Sequence, residues 1–84
     1  MSTGYDEIKI DIVERISPIA EYPTGWCKEL NIVSWNEGAP KYDLRDWDPS
    51  HTRMTKGITL YEQEARNLLA VLANHFDEKD RVAD

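Results

Sequence analysis

The chain has one cysteine and no long apolar run among its 84 residues. A single cysteine excludes an internal disulfide framework and a structural zinc site built from several thiolates. The short apolar runs exclude a membrane-spanning helix, and residues 1–7 lack the basic head and apolar segment of a signal peptide. These absences predict a reduced, cytoplasmic protein with no membrane partner, no cofactor and no metal.

The residues that are present suit one small globular domain. Of the 84 residues, 40% are hydrophobic and 31% charged, which is a globular balance and not that of a disordered chain. A chain of this length buries only about 60–65% of the surface that its unfolded form exposes. We therefore predict a single domain over residues 1–84, with an ordered core over about 6–76 and a frayed tail over 77–84.

Four strands are predicted before any helix. Residues 7–12 alternate between apolar and charged side chains, as a half-buried strand does. In the second strand the phase of the apolar side chains slips midway, which predicts a β-bulge or a strong bend there. Gly57 is expected at a bulge or a close approach of backbone. The four predicted strands span residues 6–17, 26–36, 41–47 and 53–58.

Two turns separate the first three strands. Pro18, Pro23 and Gly25 predict a turn over residues 18–25. The composition of residues 36–40 predicts a second turn, in which Gly38 is free to take a positive φ.

The strongest helical pattern follows the strands. Thr59 and Glu62 match the capping box, in which a hydroxyl and a carboxylate bind free amide groups at the start of a helix. The apolar stripe that follows is wider than one small sheet needs to cover. It predicts a two-fold symmetric homodimer with the helices at or near the interface. The stripe consists of Ala65, Leu68, Leu69, Leu72 and Phe76, widened by Val71.

An enzyme is not expected. Strand alternation separates the carboxylates of Asp43 and Asp46, which weakens any paired-carboxylate site. His51 and His75 are not at ligand or nucleophile spacing from Cys27. The four glycines are scattered, so no phosphate-binding glycine loop is present.

Charge and tryptophan are distributed more informatively. Residues 26–56 contain five basic and five acidic residues, so the net charge of −6 lies wholly outside this segment. On the third strand, Lys41, Arg45 and Trp47 alternate onto one face, and a ring flanked by cations can stack unpaired bases and follow a phosphate backbone. We therefore expect Trp47 to be exposed and Trp26 to lie in the core, while the direction of Trp35 stays open.

These residues also resemble a known family. Residues 38–49 (Gly-Ala-Pro-Lys-Tyr-Asp-Leu-Arg-Asp-Trp-Asp-Pro) and 56–60 (Lys-Gly-Ile-Thr-Leu), followed by an amphipathic helix, are similar to the positive-cofactor-four transcriptional coactivators. The likeness is greatest to the small bacterial members and covers about residues 8–76. It implies an α+β fold in which a four-stranded antiparallel curved sheet precedes one C-terminal amphipathic helix. It also implies a dimer that binds single-stranded DNA.

The resemblance assigns roles to several residues. Arg45 matches the strand arginine that contacts the DNA backbone, Trp47 the base-stacking tryptophan, and Lys56 the lysine before the glycine. Trp35 or Asn36 falls where coactivators carry a stacking phenylalanine. The predicted DNA-binding residues are Lys28, Trp35, Asn36, Lys41, Arg45, Trp47, Arg53 and Lys56.

The predicted function is sequence-tolerant binding of single-stranded DNA, in transcription or in protecting exposed strands. Two alternatives stay open: a protein-interaction module with exposed tryptophans, and an RNA-binding module that uses the same stacking surface. Salt dependence separates nucleic-acid binding from protein docking, because only phosphate contacts weaken steeply with salt.

Overall fold

The computed structural model describes residues 9–82 as a sheet followed by one helix. The four strands are antiparallel and lie in the order of the chain. This confirms the predicted fold class of a curved antiparallel sheet followed by a C-terminal helix. The predicted start of the first strand, at residue 6, lies outside the described residues. The elements are β1 (Ile10–Glu21), β2 (Cys27–Trp35), β3 (Lys41–Trp47), β4 (Ile58–Leu60) and α1 (Glu62–Val82).

Strand β1 is an edge strand with three irregularities. Its register against β2 shifts between Ile12 and Glu14, between Arg15 and Ser17, and between Pro18 and Ala20. Each shift leaves one residue of β1 without a partner in β2. Extra residues of this kind bend a strand and increase its twist, so they contribute to the curvature of the sheet.

Two sequence predictions about this region are wrong. The first strand does not end at residue 17 but continues through Pro18. Proline has no N–H to donate, and it is tolerated here because β1 is an edge strand and not an inner strand of the sheet. The irregularity predicted for the second strand belongs to β1, since β2 pairs with β3 without any shift in register.

The turn between β2 and β3 places positive φ angles on other residues than predicted. Asn36 and Glu37 have φ angles of 49° and 63°, whereas Gly38 is outside the left-handed region. The Gly38 N–H donates to the carbonyl oxygen of Trp35 at 2.8 Å. Two successive positive φ angles across such a bond are typical of a type I′ hairpin turn, which matches the twist of the strands.

The approach to the helix also differs from its prediction. The fourth strand is residues 58–60 and not 53–58, with Met54 making only an isolated bridge to Trp47. Thr59 lies in β4 and donates its hydroxyl to Asp43 Oδ2 at 3.0 Å, so it does not cap the helix. Instead Glu64 Oε1 accepts from the Tyr61 N–H at 2.8 Å.

At its other end, α1 extends further than expected. It continues to Val82, through most of the segment 77–84 for which fraying was predicted. An ion pair between Arg81 and Asp77, at 2.8 Å and one helical turn apart, supports this last part.

The two faces of the sheet have opposite character. Residues directly opposite each other in antiparallel strands share a face, and successive residues alternate between faces. One face, here called the polar face, carries Cys27, Glu29, Asn31, Val33, Trp35, Lys41, Asp43, Arg45 and Trp47. The other, here called the apolar face, carries Leu30, Ile32, Tyr42, Leu44 and Leu60.

The helix leaves the sheet and is mostly exposed. Its first turns lie beside β3 and β4, where Ala65 is half-buried near Tyr42. The radius of gyration is 16.0 Å, whereas a compact chain of this length would measure about 12 Å. The described part of the chain is therefore elongated, and most of the apolar stripe of α1 is exposed, since only its start lies against the sheet.

Candidate nucleic-acid interface

The centre of the polar face is a buried ion pair. Arg45 Nε and Nη2 donate to Asp43 Oδ1 and Oδ2 at 2.6 and 2.7 Å, so the pair is bidentate. Arg45 Nη1 donates to the Thr55 carbonyl oxygen at 3.2 Å. Arg45 is 7% exposed and Asp43 1%. These donors and acceptors are thus turned toward each other and away from solvent.

Two neighbours close the space around the Arg45 side chain. A Cβ added at Gly57 would overlap the Arg45 Cβ and the Leu44 carbonyl oxygen. This confirms the close approach predicted for Gly57. On another side, the Arg45 guanidinium lies 4.8 Å from the centroid of the Trp35 ring, a cation–π contact.

Trp47 is buried, and the prediction that it is exposed is wrong. It is 3% exposed. The alternation of β3 does place Trp47 on one face with Arg45, as predicted, but this face is covered. The ring of His51, from the loop after β3, stacks on it with centroids 5.7 Å apart and an interplanar angle of 28°. The indole Nε1 is buried without an acceptor in the described part of the chain.

His51 connects three strands. Its Nε2 lies 2.8 Å from Glu29 Oε2 on β2 and 3.3 Å from Arg15 Nη1 on β1. Asn31 Nδ2 donates to the other carboxylate oxygen of Glu29 at 3.2 Å. The sheet curves enough for a side chain of β1 to meet the loop after β3 above β2. His51 has a φ of 60°, a left-handed conformation that costs energy and is maintained by these surrounding contacts.

Asp48 organises the loop that carries His51. Its Oδ1 accepts from the backbone N–H groups of Thr52 and Arg53 at 2.8 and 2.9 Å, and its Oδ2 accepts from the Ser50 hydroxyl at 2.9 Å. The bond from the Arg53 backbone is the main cause that lowers the pKa of Asp48 to about 2. The loop is therefore fixed by the ionised carboxylate.

The other predicted contacts are distributed over both faces and the loops. Lys28 lies on the apolar face, where its ion pair with Asp46 at 2.8 Å raises the pKa of its ammonium group. Lys41 lies 4.9 Å from the centroid of the Tyr61 ring. Asn36 accepts from the Lys9 backbone N–H through Oδ1 at 2.8 Å. Arg53 and Lys56 are exposed, and Trp35 and Trp26 are half-buried.

Trp26 thus lies less deeply than predicted, and Trp47 lies deeper. Residue type alone does not tell which tryptophan a curved sheet covers, because the position of the covering His51 ring depends on contacts with β1 and β2. The sequence analysis also missed Arg15, Glu29 and Asn31. One signal could have pointed to the polar face. On each of the paired strands β2 and β3, an acidic side chain precedes a polar or basic one by two residues. These pairs are Glu29 with Asn31 and Asp43 with Arg45.

The Cys27 thiol and the grouping of His, Cys, Asp and Glu side chains bear on catalytic and metal chemistry. Burial is the main cause that raises the pKa of Cys27, and the charges of Glu21 and Glu29 add to it, so the thiol is not activated. Within residues 9–82, no three His, Cys, Asp or Glu side chains are grouped to hold a metal ion. No helix in the same part of the chain combines the length and apolar character needed to cross a membrane.

Comparison with known proteins identifies the family. The family described as Transcriptional Coactivator p15 (PC4) matches residues 22–71, from the end of β1 into α1 and over more than half of the chain. A protein of Treponema pallidum (strain Nichols), named only as an uncharacterized protein, is 34% identical over 59 residues, which are 70% of this chain and 69% of that protein. The chain therefore belongs to the p15 (PC4) family of DNA-binding, non-enzymatic transcriptional coactivators.

Proposed function

We propose that this protein is a homodimeric, sequence-tolerant single-stranded DNA-binding factor of the cytoplasm, acting in transcription or in the protection of exposed strands. The observation that carries this proposal is the family match over β2, β3, β4 and the start of α1, which contains most of the polar face. The zero net charge of residues 26–56 supports it, because the acidic excess lies elsewhere in the chain.

The proposed DNA-binding surface differs from the one predicted from the sequence, because DNA can contact only accessible side chains. Arg45 and Trp47 are buried, so in this proposal they support the interface from below. Trp35 is half-buried and rests on the Arg45 guanidinium, which makes it the tryptophan best placed to stack on an unpaired base. Arg53 and Lys56 are exposed cations that would contact phosphates, and the half-buried Lys41 would do so from beside Tyr61.

The homodimer in this proposal rests on unpartnered apolar surface. Among the described residues, only Val33 and Trp47 are buried hydrophobic side chains. The apolar stripe of α1 is exposed over several turns, and an amphipathic helix of this kind is stable in water when a partner covers its apolar side. A second copy of the chain would supply the same stripe around a two-fold axis.

Titration with three ligands tests the function: oligo-dT, a matched duplex and oligo-U, each at two salt concentrations. We expect oligo-dT to bind at least about tenfold more tightly than duplex, which corresponds to about 1.4 kcal/mol, since stacking needs bases outside a duplex. Binding should weaken steeply with salt. Equal affinity for oligo-dT and duplex would contradict the stacking surface.

The same titration addresses the alternatives. Preference for oligo-U over oligo-dT would favour the RNA-binding module. No binding to any of the three would favour a protein-interaction module, in which Trp35 docks a partner chain.

A further inference from the structure

A groove of about 570 Å³ crosses the polar face between β1 and the loop after β3. It is outside the set of DNA contacts predicted from the sequence, apart from Trp47, and the β1 side of it precedes the family match at residue 22. Its volume is within the range of about 300–1,000 Å³ that is typical of small-ligand sites. The groove is lined by Lys9, Ile10, Asp11, Ile12, Arg15, Trp47, Ser50, His51, Thr52 and Met54.

The contacts of His51 Nε2 show which charged side chain of this groove has no hydrogen-bond partner among the described residues. His51 Nε2 lies 2.8 Å from Glu29 Oε2 and 3.3 Å from Arg15 Nη1. An ionised carboxylate only accepts and a guanidinium only donates, whereas a ring nitrogen either donates or accepts. The two contacts therefore exclude each other as hydrogen bonds.

The contact with Glu29 is the stronger of the two. Glu29 is buried and has only Asn31 as another side-chain donor among the described residues, so losing His51 would leave a desolvated charge poorly compensated. Arg15 is exposed, and water can solvate its guanidinium. Hence Nε2 carries a proton and donates to Glu29, and Arg15 only lies beside it.

Arg15 is thus a cation without an anion on the wall of the groove. No carboxylate within residues 9–82 lies at ion-pair distance from its guanidinium. The groove also contains a negative charge, because Asp11 lines it. Lys9, another lining residue, is paired with an acid: its Nζ lies 3.7 Å from Glu37 Oε2. A guanidinium with free parallel N–H groups matches the oxygens of a phosphodiester.

We propose that this groove holds one unpaired nucleotide of the bound single strand, with its phosphate on Arg15 and its base against the ring of His51. The inference rests on the proposed function and extends the interface from β2 and β3 to β1. The stack of His51 on Trp47 makes the ring a rigid platform, and base stacking on a ring of this kind is tolerant of sequence.

The test compares Arg15→Gln with Arg81→Gln, a matched control that removes the same charge from the far end of α1. Oligo-dT binding is measured by fluorescence anisotropy over a series of salt concentrations. We expect Arg15→Gln to weaken binding about tenfold or more and to flatten the salt slope by about 0.7. Arg81→Gln should change neither quantity appreciably.

A second measurement uses the wild-type protein and does not depend on the variant's stability. The Arg15 Nε–Hε signal in a ¹⁵N NMR spectrum should shift on addition of oligo-dT, while that of Arg81 stays in place. Two results would contradict the proposal that the groove binds a nucleotide and would leave the proposed function intact. One is equal effects of the two substitutions on oligo-dT binding, and the other is an Arg15 signal that does not shift during saturable oligo-dT binding. Failure of the wild type to bind oligo-dT would overturn both.

Discussion

The polar face of the sheet buries charged side chains, and the apolar stripe of the helix exposes apolar ones, which is the reverse of the usual arrangement in a small protein. Asp43 and Arg45 are 1% and 7% exposed, whereas Leu69 and Phe76 are 69% and 49% exposed. On the polar face the buried ionic groups are paired with each other. On the helix, the large apolar side chains remain largely exposed in the described part of the chain.

This difference teaches that the two regions depend on different partners. The polar face is complete within one chain, because β2, β3 and the loop that follows supply both members of the Arg45–Asp43 ion pair and of the His51–Glu29 hydrogen bond. The helix is incomplete, because burial of its stripe needs surface that these elements do not provide. Substitutions on the polar face should therefore change folding, and substitutions on the stripe should change assembly.

The largest effect is expected from Arg45→Gln. It leaves the Asp43 carboxylate buried without its bidentate partner, which should lower the free energy of unfolding by about 3–5 kcal/mol. Urea unfolding followed by circular dichroism measures this. The double variant Asp43→Leu/Arg45→Met should recover part of the loss, since it leaves no unpaired charge. If Arg45→Gln weakened DNA binding at unchanged stability, Arg45 would be a DNA contact and the polar face would be open.

Trp47→Ala should come next and acts on the same region. Removing a nearly fully buried indole should lower the free energy of unfolding by about 3–5 kcal/mol. Trp35→Ala is the comparison: it should keep most of the stability and lose about 1–3 kcal/mol of oligo-dT binding. Both are measured by urea unfolding and by oligo-dT titration. The opposite result would restore Trp47 as the stacking residue.

Leu72→Asp tests the apolar region. A charge in the centre of the stripe should dissociate a dimer and weaken the packing of α1, because the carboxylate would be desolvated without a partner. Light scattering at micromolar concentration should report a mass of about twice 9.7 kDa for the wild type and 9.7 kDa for the variant. Asn74→Asp adds the same charge on the opposite side of the helix and should leave the mass unchanged. A monomeric wild type would contradict the homodimer.

His51→Ala should have a moderate effect on the polar face. It removes a donor from the Glu29 carboxylate, which should cost about 1–3 kcal/mol of stability, and it uncovers one face of Trp47. Urea unfolding and the tryptophan emission maximum report the two consequences. His75→Ala, on the exposed helix, is the control and should change neither.

The smallest effect concerns pH and the loop that holds His51. The pKa of Asp48 is lowered to about 2 from its ordinary value of 3.8. Its stabilising contribution is therefore complete above pH 3.8 and is lost as the pH falls toward 2. The urea midpoint of the wild type should drop across this window more than that of Asp48→Asn.

The elements themselves were largely predictable, and their details were not. The alternation of residues 7–12 and the apolar stripe of α1 are local patterns, so the order of four strands and one helix could be predicted from them. The end of the first strand was missed because a proline stops an inner strand but not an edge strand, and the chain does not show which strand is the edge. The helix start was missed by two residues because Thr59 and Tyr61 both precede a glutamate by three positions.

The amino-acid sequence by itself determined the order of four strands and one helix and the face of β3 that Arg45 and Trp47 share, since these follow from spacing along the chain. The fold class and the family followed from the resemblance carried by residues 38–49 and 56–60. Only the tertiary structure decided that this face is buried. That outcome depends on His51, Arg15 and Glu29, which are far apart in sequence and meet because the sheet curves. Exposure depends on which groups arrive from elsewhere in the chain, and strand alternation carries no information about that.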